Sequence, residues 1–182
     1  TQFNDGTPIP TGFATSEAWM IQCGSDLPAC QVDRAANANA PSAMQYRNLY
    51  GVLYNRFAMK GNIAPQGWHV PSKAELQALV DFVGADARKL KSTAIGKGLG
   101  SWTESSGIGG DNLTGFTALP ANTVEGSNGS TGASETTGQW WSTEADYRIR
   151  MSFRSNSVEQ LTPGVAGLGE GNSIRCVRDA NY

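Results

Sequence analysis

An α+β domain with two helices, short antiparallel strands and long irregular loops is what this sequence predicts, on three observations. Glycine is 22 of 182 residues while charged residues make up only 16%, against usual shares of roughly 7% and roughly 25%. That balance disfavours helix bundles and coiled coils. Helical periodicity is confined to two stretches in the first half, and period-two alternation appears twice near the C-terminal end. The length is one domain's worth and buries enough surface to need no staples, so residues 1–182 read as a single domain.

Thr1 to Pro10 predicts a hairpin or edge strand turning at Asn4-Asp5-Gly6. Residues 24–43 read as loop. Between Met44 and Met59, Tyr46, Leu49, Tyr50, Leu53, Tyr54 and Phe57 step by three and four, which places them on one helical face. Gly51 opposes that helix at a cost of about 1 kcal/mol against alanine. In Val70-Pro71-Ser72-Lys73-Ala74-Glu75, Ser72 can cap the first free amides and Glu75 can bond back to it. Leu76, Leu79, Val80 and Val83 follow at helical spacing and Gly84 supplies the stop, so the second helix spans about 73–83. Residues 92–139 hold turn clusters around apolar islands at Trp102, Phe116 and Leu119. A long irregular stretch of this kind is usually functional. Trp140-Trp141 comes next. Then Ile149, Met151 and Phe153 alternate with Arg148, Arg150, Ser152 and Arg154, and a second alternating strand runs from Ser173 to Arg178.

Composition excludes several functions. A net charge of −2 does not suit a generic nucleic-acid binder, which needs a basic surface. No run approaches 18 apolar residues, so no membrane span is expected. Five tryptophans and six phenylalanines argue against disorder. A single histidine, His69, excludes any site needing two imidazoles. Without a visible nucleophile partner it reads as a packed or hydrogen-bonded structural residue. Asp111-Asn112 reads as a turn in preference to a calcium ligand pair, and Gly107 to Gly110 as a loop in preference to a phosphate cradle. No metal or cofactor is expected. The chain opens at Thr1 without a charged-then-apolar leader, so it reads as mature or trimmed. Cys23, Cys30 and Cys176 lack zinc or redox spacing; their odd number allows one disulfide plus a free thiol, or three unpaired thiols.

The strand at 147–154 carries three of the nine arginines on one face. That face is either an ordinary solvated surface or a recognition surface, since arginine reads carboxylates bidentately and is frequent at binding hot spots. A core position is not expected, because three unpaired buried guanidiniums would cost several kcal/mol each.

Seven blocks occur in order. They are Asn4-Asp5-Gly6-x-x-Ile9-Pro10, Tyr50-Gly51-x-Leu53-Tyr54-Asn55, Gly67-Trp68-His69-Val70-Pro71-Ser72-x-x-Glu75, Leu90-Lys91, Gly115-Phe116-x-Ala118-Leu119-Pro120, Trp140-Trp141-Ser142-Thr143-Glu144 and Ser173-Ile174-Arg175-Cys176-Val177-Arg178-Asp179. Together they resemble the Fibrobacter succinogenes major paralogous domain, a family of secreted and surface proteins of Bacteroidetes and Fibrobacteres, over nearly the whole chain. The family resembles in turn the formylglycine-generating-enzyme branch of the C-type-lectin-like fold, in which a helix follows an Arg-Leu-Pro-Thr-x-x-Glu-type motif. The resemblance implies an N-terminal strand beside the C-terminal one and function in the long loops. Many members carry Cys-Pro before Gly-Trp-His, where this chain has Ala64-Pro65. The resemblance therefore favours a Cys30–Cys176 bridge, with Cys23–Cys30 close behind. Counterparts of the formylglycine-generating cysteines are absent, as are the calcium and sugar motifs of true C-type lectins.

Some relatives are target proteins of diversity-generating retroelements, which vary exposed residues upstream of the C-terminal core strand. Arg148, Arg150, Ser152, Arg154 and Asn156 occupy that stretch, and the residues at all five positions are reachable from an Asn codon by changing adenines. The implied function is a non-enzymatic, surface-displayed adhesion or recognition module for a protein or glycan on a cell or virion surface. Its binding face would comprise Trp140, Trp141, Tyr147, Arg148, Arg150, Ser152, Arg154 and Asn156. The expected location is extracellular or cell-surface, with a virion as the alternative, and a homo-oligomer is compatible. The competing reading is a structural subunit of a pilus or capsid decoration. An enzyme of formylglycine-generating or hydrolytic type is disfavoured.

Overall fold

Helix α3 (Lys73–Val83) begins and ends where its sequence places it. The Ser72 hydroxyl accepts the Glu75 amide at 3.2 Å, and the Glu75 carboxylate accepts the Ser72 amide at 2.8 Å. This reciprocal capping box satisfies amides that the helix itself cannot bond. Gly84 closes the helix at φ +64°, a left-handed conformation that glycine adopts without a Cβ penalty. The computed structural model describes residues 1–13, 15–31, 43–95, 100–103, 109–131, 136–144, 147–162, 167 and 169–181.

Around α3 the described residues form two further helices, α1 (Ser16–Gly24) and α2 (Ala43–Tyr50), and eight short strands. These are β1 (Cys30–Gln31), β2 (Leu53–Asn55), β3 (Trp68–His69), β4 (Thr137–Trp141), β5 (Arg148–Ser152), β6 (Glu159–Leu161), β7 (Gly171–Asn172) and β8 (Val177–Arg178). They form three small antiparallel sheets ordered β1-β2-β7, β3-β8 and β4-β5-β6. The class is α+β. Thr1–Pro10 is the expected hairpin, bridged at Gln2 and Pro8.

Strand β4 separates two cores because successive side chains leave opposite faces. Trp140 joins Ile149, Met151, Leu76, Val80 and Val83 beneath α3. Trp141 points the other way, among Ala58, Met59, Ala64 and Val70. A third cluster gathers Trp19, Cys23, Leu53, Phe57 and Val124. The buried indole N–H groups of Trp19, Trp102 and Trp141 donate to the carbonyls of Gly169, Ala118 and Tyr54 at 2.7, 3.0 and 2.7 Å, as buried tryptophans must to avoid an orphaned donor.

Four sequence expectations need correction. Helix α1 brings the count to three helices; its apolar run Ala18-Trp19-Met20-Ile21 winds around the axis and leaves no stripe to read. The long helix at 44–59 is broken. Gly51 adopts φ +79°, and the chain continues as β2 and a 3₁₀ turn at Arg56–Lys60, capped by Asn55. The strand expected over 173–178 is two pieces, since Ser173 bridges Trp140 while Val177 pairs with His69, and the chain must leave one ladder to join the other. The strand expected over 147–154 stops at Ser152, and Phe153 and Arg154 form a turn. The N-terminal segment does lie beside the C-terminal one, Thr1 and Gln2 lining a groove with Ser173 and Ile174, while β8 pairs with β3. The loop expected at 24–43 lies mostly outside the described residues.

Candidate functional site

The register of β4 against β5 puts Trp140 opposite Ile149 and Trp141 opposite Arg148. Arg148 and Arg150 therefore share a face, opposite Ile149 and Met151, as the alternation predicts. That face is not open at its start. Arg148 is only 8% exposed. Its Nε donates to Gln139 Oε1 at 2.7 Å, its Nη2 lies 2.9 and 2.8 Å from the two Glu170 oxygens, and its guanidinium stands 5.7 Å from the Trp141 ring centroid. Burial pushes the Arg148 pKa down and that of Glu170 up, each opposed by the partner's charge. The argument against a core arginine fails here because the charge is paired.

Trp140, Trp141 and Tyr147 are also buried, which removes them from the expected binding face. Tyr147 donates its hydroxyl to Gln160 at 2.6 Å. Arg150, half-buried, donates to the Glu159 carboxylate through Nε at 3.1 Å and also through Nη2. Ser152 is half-buried and accepts the Arg154 amide at 3.2 Å. Arg154 and Asn156 are exposed, Arg154 lying 4.9 Å over the Phe153 ring. Of the eight residues, Arg150, Ser152, Arg154 and Asn156 reach the surface as a rim, and the other four are buried.

That rim is braced from below by Lys91, a fully buried lysine that the sequence reading noted only within the Leu90-Lys91 block and gave no role. Its ammonium donates to the carbonyls of Ser152 and Ser155 at 2.7 and 2.8 Å and stands 4.9 Å from the Trp102 ring. Burial lowers its pKa to about 8. The far side of the turn is tied down where the Ala87 amide meets the Asn156 carbonyl at 2.6 Å and the Val158 amide meets Ala85 at 2.8 Å.

His69 and the three cysteines have partners elsewhere in the fold. His69 Nδ1 lies 2.6 Å from Asp179 and Nε2 lies 2.8 Å from Glu75. Carboxylates on both ring nitrogens favour the imidazolium, and the His69 pKa is raised, first by Asp179 and then by Glu75. An imidazolium with both N–H groups engaged has no lone pair for general base work. The cluster clasps the start of α3 to β8, the structural role expected of His69. Cys23, Cys30 and Cys176 are free thiols, so neither the Cys30–Cys176 nor the Cys23–Cys30 bridge is formed. Cys30 Sγ faces the Ile9 carbonyl at 3.9 Å, while Cys176 packs in the Trp141 cluster. Burial raises the Cys23 and Cys176 thiols, which opposes thiolate formation. Asp111 and Asn112 form the expected turn: Asp111 Oδ1 accepts the Leu113 amide and Asn112 bonds Thr117. Of the Gly107–Gly110 loop, only Gly109 and Gly110 lie within the described residues.

The seven blocks serve one another. Glu144 accepts the Lys73 amide at 2.6 Å, adding a carboxylate at the positive end of α3. Ala118 exchanges backbone bonds with Leu90 and Ser92 at 2.8 and 2.9 Å. Asn55, completely buried, joins the amides of Ala29 and Ala58 to the Leu27 carbonyl. One aromatic of these blocks is exposed beside a groove. Trp68, 44% exposed, lines an open groove of about 600 Å³ together with Asn4, Asn62, Gln66 and Asp179. Among the described residues no helix is long and apolar enough to cross a membrane, and no group of three or more His, Cys, Asp or Glu is placed to hold a metal.

The family model of the Fibrobacter succinogenes major domain matches residues 2–178. No curated protein and no solved structure matches the chain.

Proposed function

We propose, for a chain that belongs to the Fibrobacter succinogenes major domain family, that it is a non-enzymatic, surface-displayed recognition module with a C-type-lectin-like fold. Its ligand face is the rim of Arg150, Ser152, Arg154 and Asn156. One observation carries this reading: β5 is anchored at its start by the buried Arg148–Glu170 pair and runs into a turn that presents exposed Arg154 and Asn156. A rigid element with adaptable polar and arginine side chains at its open end suits recognition. The double engagement of His69 supports a non-enzymatic role. In support of the fold, both ends of the chain line common grooves, Asn4 with Asp179 and Thr1 with Ser173.

Under this reading the positions open to diversification are Arg150, Ser152, Arg154 and Asn156, and Arg148 is fixed framework. The location is extracellular or on a virion. The test is binding of the purified protein to arrayed glycans and to intact bacterial cells, with Arg154→Ser/Asn156→Ser as the control. Binding that is lost in the variant at unchanged melting temperature is expected. Binding that survives the variant removes the rim from the account. Self-assembly into ordered arrays without binding any surface favours a structural subunit instead.

A further inference from the structure

The exposed indole of Trp68 sets a second surface apart from the arginine rim. The other four tryptophans, Trp19, Trp102, Trp140 and Trp141, are buried. Trp68 alone is open, and it lies at the edge of β3, held by its amide bond to Pro65 at 2.9 Å and by pairing with Arg178. Exposure by itself carries little, since single exposed apolar side chains are ordinary and Phe82 on α3 is more exposed still; what sets Trp68 apart is that its ring lines a groove.

The groove around it is polar and its amides are oriented. Asn4 Nδ2 donates to Asn62 Oδ1 at 3.1 Å and also to the Ala64 carbonyl. Those bonds leave the Asn4 oxygen as an acceptor and the Asn62 nitrogen as a donor. Asp179 Oδ1 accepts from His69 Nδ1 at 2.6 Å and leaves its second oxygen for a ligand, while Gln66 is exposed with its amide uncommitted. The groove therefore offers a flat apolar platform ringed by a carboxylate and three amides, in a volume of about 600 Å³.

We propose that this groove is a subsite for a neutral pyranose sugar of an oligosaccharide. The ligand must bring an apolar face for the indole and closely spaced hydroxyls that both donate and accept. A pyranose ring has that composition, with C–H groups on one face and hydroxyls around its edge. The carboxylates of Asp179 and Glu75 flank a single imidazolium, which disfavours acidic sugars. The binding-module reading of the rim is not needed for this subsite.

Because Trp68 is the one exposed indole, its fluorescence reports the groove directly. Cellohexaose, mannohexaose and laminarihexaose would each be titrated to about 10 mM, since a single shallow subsite binds in the millimolar range. At least one of the three should blue-shift the emission and protect it from iodide quenching. Trp68→Ala should abolish the response with the melting temperature retained, and Gln66→Ala, at an exposed position, should weaken it up to about tenfold. Arg154→Ser/Asn156→Ser should leave it intact, which separates failure here from failure at the rim. A sugar response that persists in Trp68→Ala overturns the proposal. So does the absence of protection by all three sugars, or protection by choline alone, which would make the groove a cation site.

Discussion

Arg148 Nη2 lies 2.9 and 2.8 Å from the two carboxylate oxygens of Glu170, and the pair is enclosed between Trp141 and Gln139. The most prominent charged strand of the sequence is therefore half framework. Its first arginine secures β5 to the segment entering β7, and only the later positions reach solvent.

The His69 clasp has a pH signature. His69 is raised from its ordinary 6.5, so its contribution to stability is full below pH 6.5 and is lost as pH climbs through the folded value. Glu75 is lowered from 4.5, chiefly by the Ser72 amide, so its contribution is present above pH 4.5 and is lost as pH falls through the folded value. The stability gap between the protein and His69→Gln should therefore be widest between pH 4.5 and 6.5. Urea midpoints at about pH 5.5 and about pH 8.5 check this. A gap that is equal at both, or wider at the higher pH, contradicts the clasp.

Lys91 should hold the turn that carries the rim. Lys91→Met leaves the Ser152 and Ser155 carbonyls without a donor, at about 1–3 kcal/mol. Hydrogen exchange should rise over 152–157. The wild-type lysine, lowered from 10.5 to about 8 by burial, binds fewer protons folded than unfolded between those values. Its contribution to stability therefore grows as pH rises through that window, and the gap to Lys91→Met should widen accordingly. Unchanged exchange in Lys91→Met would show that the turn is held by other bonds.

What was legible in the sequence was local. Ser72, Glu75 and Gly84 act within one helix, so spacing alone located α3. The alternation of Ile149 and Met151 with Arg148 and Arg150 gave the phase of β5, because phase depends only on the pleat. Burial of Arg148 was not legible, since it depends on Glu170, 22 residues away. Nor was the tie of His69 to Asp179 across 110 residues. The helix at 44–59 was over-extended because Leu53, Tyr54 and Phe57 keep helical spacing for a reason unconnected with helix: Leu53 and Phe57 are buried, and Tyr54 partly so, from a strand and a 3₁₀ turn. The Trp68 groove gave no sequence signal at all, because exposure of one aromatic is set by what the rest of the chain leaves uncovered.

The thiols supply a direct count. Cys23, Cys30 and Cys176 are unbridged, so three thiols should react with a disulfide reagent in denaturant without reductant. In the folded protein at neutral pH the reaction should be slow, because Cys23 and Cys30 are buried and burial raises the Cys23 and Cys176 thiols. A single reactive thiol after denaturation would show a bridge that this fold does not contain.

The division of β5 and the turn after it into framework and rim is tested most directly by the melting temperatures of Arg148→Ser and Arg154→Ser. Removing Arg148 leaves the Glu170 carboxylate buried without its cation, at about 3–5 kcal/mol, which for a domain of this size lowers the midpoint by about 10 °C. Removing Arg154, an exposed side chain, should cost under about 0.5 kcal/mol and move the midpoint by no more than about 2 °C. Equal, small shifts for both variants would put Arg148 back on the surface and contradict the account.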